Sequence, residues 1–391
     1  MNSSGTPLLR DSNLYAIFGI TLTSVMGVAS VAPALPAIAK TLDVATDQIG
    51  LVITFYTLPG LILIPILGVL ADRFSRKLIL IPSLLVFGIA GVACVFAETF
   101  QQLLFFRALQ GGGSAALGVL NLTLLGDLYA GNRRATAMGY NGSVLSVGTA
   151  IYPAIGGALA LFAWYYPFYL TLLAIPTAIY ATIWLDAGSS ENGLELNVYF
   201  SKIKTAILNA RVIALLVGIF LTFIILYGGY LTFFTILLDE KFGKSTLVIG
   251  LMLSGSSLVT AVAASQLGRL TQIANESTLI LIASVLYTLI FLMIPFIDNV
   301  WWFIPPILLF GAAQGINIPS ILNLLTGAAP KEYRAAFLSV NWVVMRSAQA
   351  LGPYLLGLIY LYYSLDGTFY FTAAVGGLFI LVNLILLRPT G

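Results

Sequence analysis

Apolar runs of about 20 residues recur from one end of this chain to the other, each long enough to carry an α-helix across about 30 Å of hydrocarbon. Inside a bilayer every backbone N–H and C=O must find its partner within the protein, so a chain patterned this way folds as a bundle of transmembrane helices. Composition agrees. Of 391 residues, 59% are hydrophobic and 8% charged, against roughly 25% charged in a soluble domain. There is no histidine, and Cys94 is the single cysteine. Metal-ligand spacing and a nucleophile paired with a base are both missing, so neither a cofactor nor an enzyme is expected. Cys94 lies in an apolar run and has no second cysteine with which to form an intramolecular disulfide. The first 13 residues are polar, and the apolar run after them reaches Pro33 and Pro36 without the short core and cleavage site of a signal peptide.

Breaks at charges, Pro/Gly clusters and polar turns predict helices near 14–38, 47–70, 78–97, 101–128, 136–160 and 164–185. A second six follow near 212–238, 246–270, 277–296, 301–327, 335–362 and 367–388. Residues 187–211 form the one long polar stretch between spans and read as a linker, partly an amphipathic surface helix. The predicted organisation is a polar N-terminus (1–13), a six-helix bundle (14–186), the linker (187–211) and a second six-helix bundle (212–388).

Lys and Arg are retained on the cytoplasmic side during insertion. With the N-terminus inside, thirteen of the 18 basic residues are cytoplasmic, Lys40, Lys241 and Lys244 are external, and Arg107 and Arg346 lie within spans. Both termini therefore face the cytoplasm of a cell (inner) membrane protein. The net charge of +3 is a by-product of this topology and gives no reason to expect nucleic acid.

Shifted by 200 residues, the chain matches itself at Ile49-Gly50-Leu51 with Ile249-Gly250-Leu251, Leu67-Gly68 with Leu267-Gly268, Arg134-Ala135 with Arg334-Ala335, Pro153 with Pro353 and Gly157 with Gly357. These identities fall at helix ends and kinks, where a duplicated six-helix unit must keep its backbone shape.

The loop after the second span carries Gly68, Asp72, Arg73, Arg76 and Lys77 in the order G-V-L-A-D-R-F-S-R-K. This resembles the hallmark loop of the major facilitator superfamily, with Ser75 where the family usually has Gly. Basic residues there also serve as positive-inside anchors, but an acid such as Asp72 adds nothing to topology. The resemblance implies that Gly68, Asp72, Arg73 and Arg76 form a conformational latch, with Asp72 capping a helix of the other half that begins near Ala335. A carboxylate at a helix N-terminus gains about 0.3–1 kcal/mol. The second half keeps only Gly268-Arg269-Leu270, with Gln272 at the Asp position, so the latch is expected to be asymmetric.

In the fourth span, Arg107, Gly111, Ser114, Gly118 and Asn121 fall within about 40° of one line at 100° per residue. Small residues permit close packing in lipid, but an arginine there must pair, line a wet cavity or snorkel, since insertion otherwise costs roughly 2.5–3.5 kcal/mol. Phe106-Arg107 with Gln110-Gly111 and Gly113 also resembles a superfamily motif. In the fifth span, Gly139, Gly148, Pro153, Gly156 and Gly157 follow the pattern of the superfamily's antiporter branches, with Tyr152 where Gly is usual. Gly352-Pro353 and Gly357 are the counterpart in the eleventh. Each Pro removes a backbone donor and bends its helix, while Gly148, Gly156 and Ala160 present a shallow stripe. With Pro33 and Pro36 in the first span, the chain resembles the twelve-helix drug:proton antiporter branch.

Arg346 lies about 11 residues into its span, roughly 16 Å deep at 1.5 Å per residue. It shares a face with Ser339, Trp342, Gln349 and Pro353, and no carboxylate reaches comparable depth. Asp127, at the cytoplasmic end of the fourth span, comes closest. The candidate substrate or coupling residues are thus Arg107, Gln110, Asn121, Asp127, Arg346 and Gln314. The function these features imply is export of an amphiphilic small molecule by proton antiport with alternating access, the partners being cargo, protons and membrane lipids, and the chain a monomer. An importer or uniporter of an organic anion is the alternative. A membrane sensor or scaffold fits less well, because no appended soluble domain is read in the chain.

Overall fold

Helix is the form the described chain takes wherever it is apolar, and strands do not occur among the described residues. The computed structural model describes residues 8–186, 209–328 and 334–386, and no side chain is described at 68, 69, 71–73 or 334–339. In the first half the helices are α1 (Ser12–Thr41), α2 (Leu51–Arg73), α3 (Arg76–Phe96), α4 (Phe100–Leu128), α5 (Gly131–Ala160) and α6 (Tyr166–Trp184). The second half has α7 (Ala210–Glu240), α8 (Thr246–Ser265, extended by Leu267–Ile273), α9 (Glu276–Phe296) and α10 (Val300–Ala328). The last helical run, Arg334–Leu386, is broken at Ser364, whose φ of 64° leaves the helical region, giving α11 (334–363) and α12 (365–386). At 1.5 Å per residue its 53 residues are far too long for one crossing. Ten helical runs among the described residues are long and apolar enough to cross a membrane, with Leu51–Leu67 a shorter apolar one, and the break at Ser364 divides the last run in two, in keeping with the expected all-α membrane fold.

Side chains start several of them. Asp11, Thr99, Asn209 and Asn275 each accept a hydrogen bond from a backbone N–H in the first turn of α1, α4, α7 and α9, at 2.9–3.3 Å. Several boundaries differ from the sequence reading, among them the start of the second helix at Leu51 rather than near 47. The fifth helix opens at Gly131, with φ +53°, rather than near 136, because its first turn is polar and exposed and hydropathy does not register it. The seventh opens at Ala210, inside the stretch read as linker, because Asn209 caps it. The rest of that stretch, 187–208, lies outside the described residues, as do Lys331 and Arg388.

Within the first half α4 packs against α2 and α3, and α1 against α4, α5 and α6; α8 with α10 and α9 with α10 pack in the second. The main pairs crossing between halves are α5 with α8 and α2 with α11, with the C-terminal part of α1 also meeting α7 and α8. These seams are repeat-related. A Cβ at Gly250 would collide with the Pro153 carbonyl, and one at Gly50 would stand 2.9 Å from the Pro353 carbonyl. Likewise Gly157 sits on the Thr246 carbonyl and Gly357 on that of Asp47. Thr54 Oγ1 donates to the Ala350 carbonyl at 2.7 Å, and its counterpart Ser254 accepts from the Ala154 N–H at 2.9 Å. At the same end Lys40 Nζ meets Asp239 Oδ1 at 2.7 Å, and Thr46 Oγ1 donates to Glu240 Oε1 at 2.8 Å. Toward the opposite end, where Arg76 and Arg133 lie, the glycines of α5 and α8 have no such close neighbours. Nothing stands within 4 Å of a Cβ built at Gly139 or Gly142 of α5, or at Gly255 or Gly268 in α8 and its extension.

Candidate functional site

Arg107 is fully buried, and three neighbours hold it. Its Nε donates to the Val52 carbonyl at 3.1 Å, and its Nη1 to the Gly27 carbonyl at 3.0 Å and Gln110 Oε1 at 2.6 Å. The guanidinium stands 4.2 Å from the centroid of the Tyr56 ring, a cation–π arrangement. Helix approach makes this possible: a Cβ at Gly111 would collide with the Tyr56 carbonyl, and one at Gly27 with the Tyr56 hydroxyl. Of the three ways expected to accommodate Arg107, backbone and side-chain acceptors are the one observed, and it does not snorkel.

The rest of the α4 face is distributed among partners. Gly118 lies against the Trp342 ring of α11, at 3.1 Å from a built Cβ. Asn121 Nδ2 donates to Thr21 Oγ1 at 2.7 Å and accepts at Oδ1 from Asn141 at 2.8 Å, while Thr21 also bonds Asn141. This closed polar triad ties α1, α4 and α5 together. In the second half, Asn317 donates to Thr222 at 2.8 Å, but both amide atoms of the buried Gln314 lack a partner among the described residues.

Asp127 is half exposed and forms an ion pair at 2.6 Å with Arg76, which is buried, so these two predicted residues meet within one half. Beside them Tyr129 donates to Asp11 Oδ2 at 3.0 Å; burial first, then the adjacent carboxylate, push its phenol well above the ordinary value. The side chains of Gly68, Asp72 and Arg73 lie outside those described, so the predicted latch appears only through Arg76.

The glycines and prolines of α5 and α11 serve contacts. Gly148 faces Leu22 and Val25 of α1, Gly156 sits on the Ser30 carbonyl, and Pro153, Gly157 and Pro353 belong to the seams described above.

Arg346 is 8% exposed, and its Nη1 donates to Gln349 Oε1 at 3.1 Å. Its Nε has no partner, and no carboxylate lies within ion-pair distance of it, among the described residues. The side chain lies against Gly60 of α2, where a built Cβ would stand 3.4 Å from Cδ. Tyr227 lies within electrostatic reach of both Arg346 and Tyr56. It sits in a π-helical stretch of α7, Ile225–Phe234, where Thr232 Oγ1 reaches back to the Tyr227 carbonyl at 2.7 Å; such stretches are rare and recur at functional sites. Gly60, Tyr56, Asn141 and Tyr227 were not among the predicted site residues. The small-residue periodicity that marks helix contacts would have found Gly60, whereas a tyrosine in an apolar run carries no such signal.

Known proteins bear on this arrangement. The family model described as Major Facilitator Superfamily matches residues 17–348 and again 219–391. The bacillibactin exporter of Bacillus subtilis (strain 168) is 35% identical over 163 residues, 40% of this chain and 40% of its own length. The class B tetracycline resistance protein of Escherichia coli is 24% identical over 356 residues, 87% of this chain and 86% of its own. Among solved structures, the nucleoside transporter NupG aligns with a TM-score of 0.80 at 11% identity, covering 96% of this chain and 100% of that one. At that identity the likeness speaks for the fold alone.

Proposed function

The chain belongs to the Major Facilitator Superfamily, a multi-pass membrane transporter and not an enzyme, and from that premise we propose that it exports an amphiphilic small molecule by proton antiport with alternating access. The observation that carries this reading is the pair of repeat-related seams, Gly250 on Pro153 and Gly50 on Pro353. They close one end of the space between the halves, whereas the glycines of α5 and α8 toward the other end have nothing within 4 Å. The basic-residue bias assigns the closed end, with Lys40 and Lys241, to the outside and both termini to the cytoplasm. The molecule is then caught facing inward, as an exporter must be to load cargo. Rocking the two repeats about a midplane site would break the seams and open the outer end.

Export is supported by what similar proteins are named for: bacillibactin export, tetracycline resistance and multidrug resistance. We assign Asp72 with Arg73 and Arg76 as the inner latch, and Asp127, paired with Arg76, as the acid that carries the proton. Purified protein in liposomes, loaded with a candidate drug and challenged with a pH gradient, tests the function. Gradient-driven movement that collapses with a protonophore is expected. Movement indifferent to the gradient overturns antiport, and cargo moved in the opposite sense makes the protein an importer.

A further inference from the structure

The two intramembrane arginines differ in how their donors are used, and the difference points to the cargo. A guanidinium carries five N–H donors and no acceptor. Arg107 makes three hydrogen bonds, to two backbone carbonyls and Gln110, keeps Nη2 unpartnered among the described residues, and lies under Tyr56 with no exposed surface. Arg346 makes one bond, to Gln349, and keeps Nε unpartnered among the described residues. A charge at that depth calls for an anion, a carbonyl or water.

Position along α11 narrows the choice. Its links to α2 and the residues just before it run inward as Gly357 on Asp47, Pro353 by Gly50 and Ala350 with Thr54. Arg346 comes next, one turn beyond the last of these, and lies against Gly60 of α2, which has no side chain to fill the space. It therefore stands just beyond the last of these seam contacts. Trp342 precedes it by four residues, on the same face of the helix, is only partly buried, and sets its ring edge against Gly118 of α4. The repeat-related residues on α5 are Ser146 and Gly142, and Gly142 has nothing within 4 Å. One repeat thus supplies a guanidinium and an indole side by side, where the other carries only Ser146 and Gly142.

We propose that Arg346 and Trp342 form the cargo subsite, and that the cargo class is an aromatic organic anion whose carboxylate or phenolate pairs with Arg346 while its ring stacks on Trp342. This rests on the transport reading and sharpens it. An ion-paired hydrogen bond shifts affinity by about tenfold or more, and ring stacking adds a smaller preference.

The test measures equilibrium binding to the full chain in nanodiscs with three probes: 2-naphthoate, its neutral amide, and cyclohexanecarboxylate. Wild type should bind naphthoate about tenfold or more tighter than the amide. Arg346→Gln should erase that preference, Arg346→Lys should keep part of it, and Trp342→Leu should weaken naphthoate but not cyclohexanecarboxylate. Thermal melting of each variant confirms that it is folded. Equal affinity of wild type for acid and amide, no binding of naphthoate, or an intact preference in Arg346→Gln each overturns the proposal. Efflux of an uncharged amphiphilic dye driven by a pH gradient separates the two readings: efflux that persists in wild type while naphthoate fails to bind leaves the exporter standing and removes only the anionic cargo.

Discussion

Gly250 of α8 lies directly on Pro153 of α5, so closely that a Cβ at position 250 would collide with the Pro153 carbonyl and approach Gly157 at 3.2 Å. Neither backbone can yield without moving the halves apart, so a larger residue at 250 disfavours the closed outer seam. Gly250→Val should raise the rate at which an impermeant maleimide labels a cysteine at Ser254 from outside, and slow transport more than tenfold. Gly255→Ala, with nothing within 4 Å, is the control and should behave as wild type. Unchanged labelling in Gly250→Val means the seam is not the gate.

Arg107 is bound by groups of its own half, so its loss should be felt in stability before selectivity. Arg107→Leu forfeits hydrogen bonds of a charged donor and leaves Gln110 buried without its partner. A loss of about 2–3 kcal/mol is expected, read as a lower melting temperature, with acidic and neutral cargo weakened alike. A variant that melts as wild type and discriminates between cargoes by charge would place Arg107 in the cargo site.

Lys40 and Asp239 join the outer ends of α1 and α7, with the lysine largely exposed. An exposed pair contributes about 0.2–1 kcal/mol and weakens with salt. Asp239→Asn should therefore shift the inward–outward balance no more than about fivefold, and the shift should shrink in 1 M salt. The swap of Lys40→Asp with Asp239→Lys should restore it. A swap that behaves like the single variant rules out a direct charge contact.

Asp127 pairs with Arg76 at 2.6 Å on the side facing the cytoplasm in the topology above. Asp127→Asn should abolish accumulation against a pH gradient while leaving cargo counterflow in place. Undiminished gradient-driven accumulation excludes Asp127 as the proton carrier.

The all-α membrane fold was legible because lipid leaves a chain few options: length and hydropathy nearly determine each helix. The glycine and proline positions of α5 and α11 were legible as contact points for the same reason, since close approach in lipid needs small residues. Which helix each would meet was not, because the offset of 200 residues relates Gly50 to Gly250 but does not say that Gly250 meets Pro153. Arg107 and Arg346 looked equivalent as intramembrane charges. Their difference depends on carbonyls at Gly27 and Val52, which no side-chain pattern advertises. The π-helical stretch of α7 was hidden too, since Ile225–Phe234 reads as an ordinary apolar run.

Alternating access is tested most directly by measuring both ends of the seam at once. With Cys94 replaced by Ala, one spin-label pair at Ala45 and Ser245 reports the outer end, and a second at Thr136 and Gln272 reports the inner end; Ala45, Ser245, Thr136 and Gln272 are all exposed. Acidifying the outside in the presence of cargo should lengthen the outer distance and shorten the inner one together. Distances that move in the same sense, or an outer distance that never changes while cargo is transported, would contradict a rocking exporter.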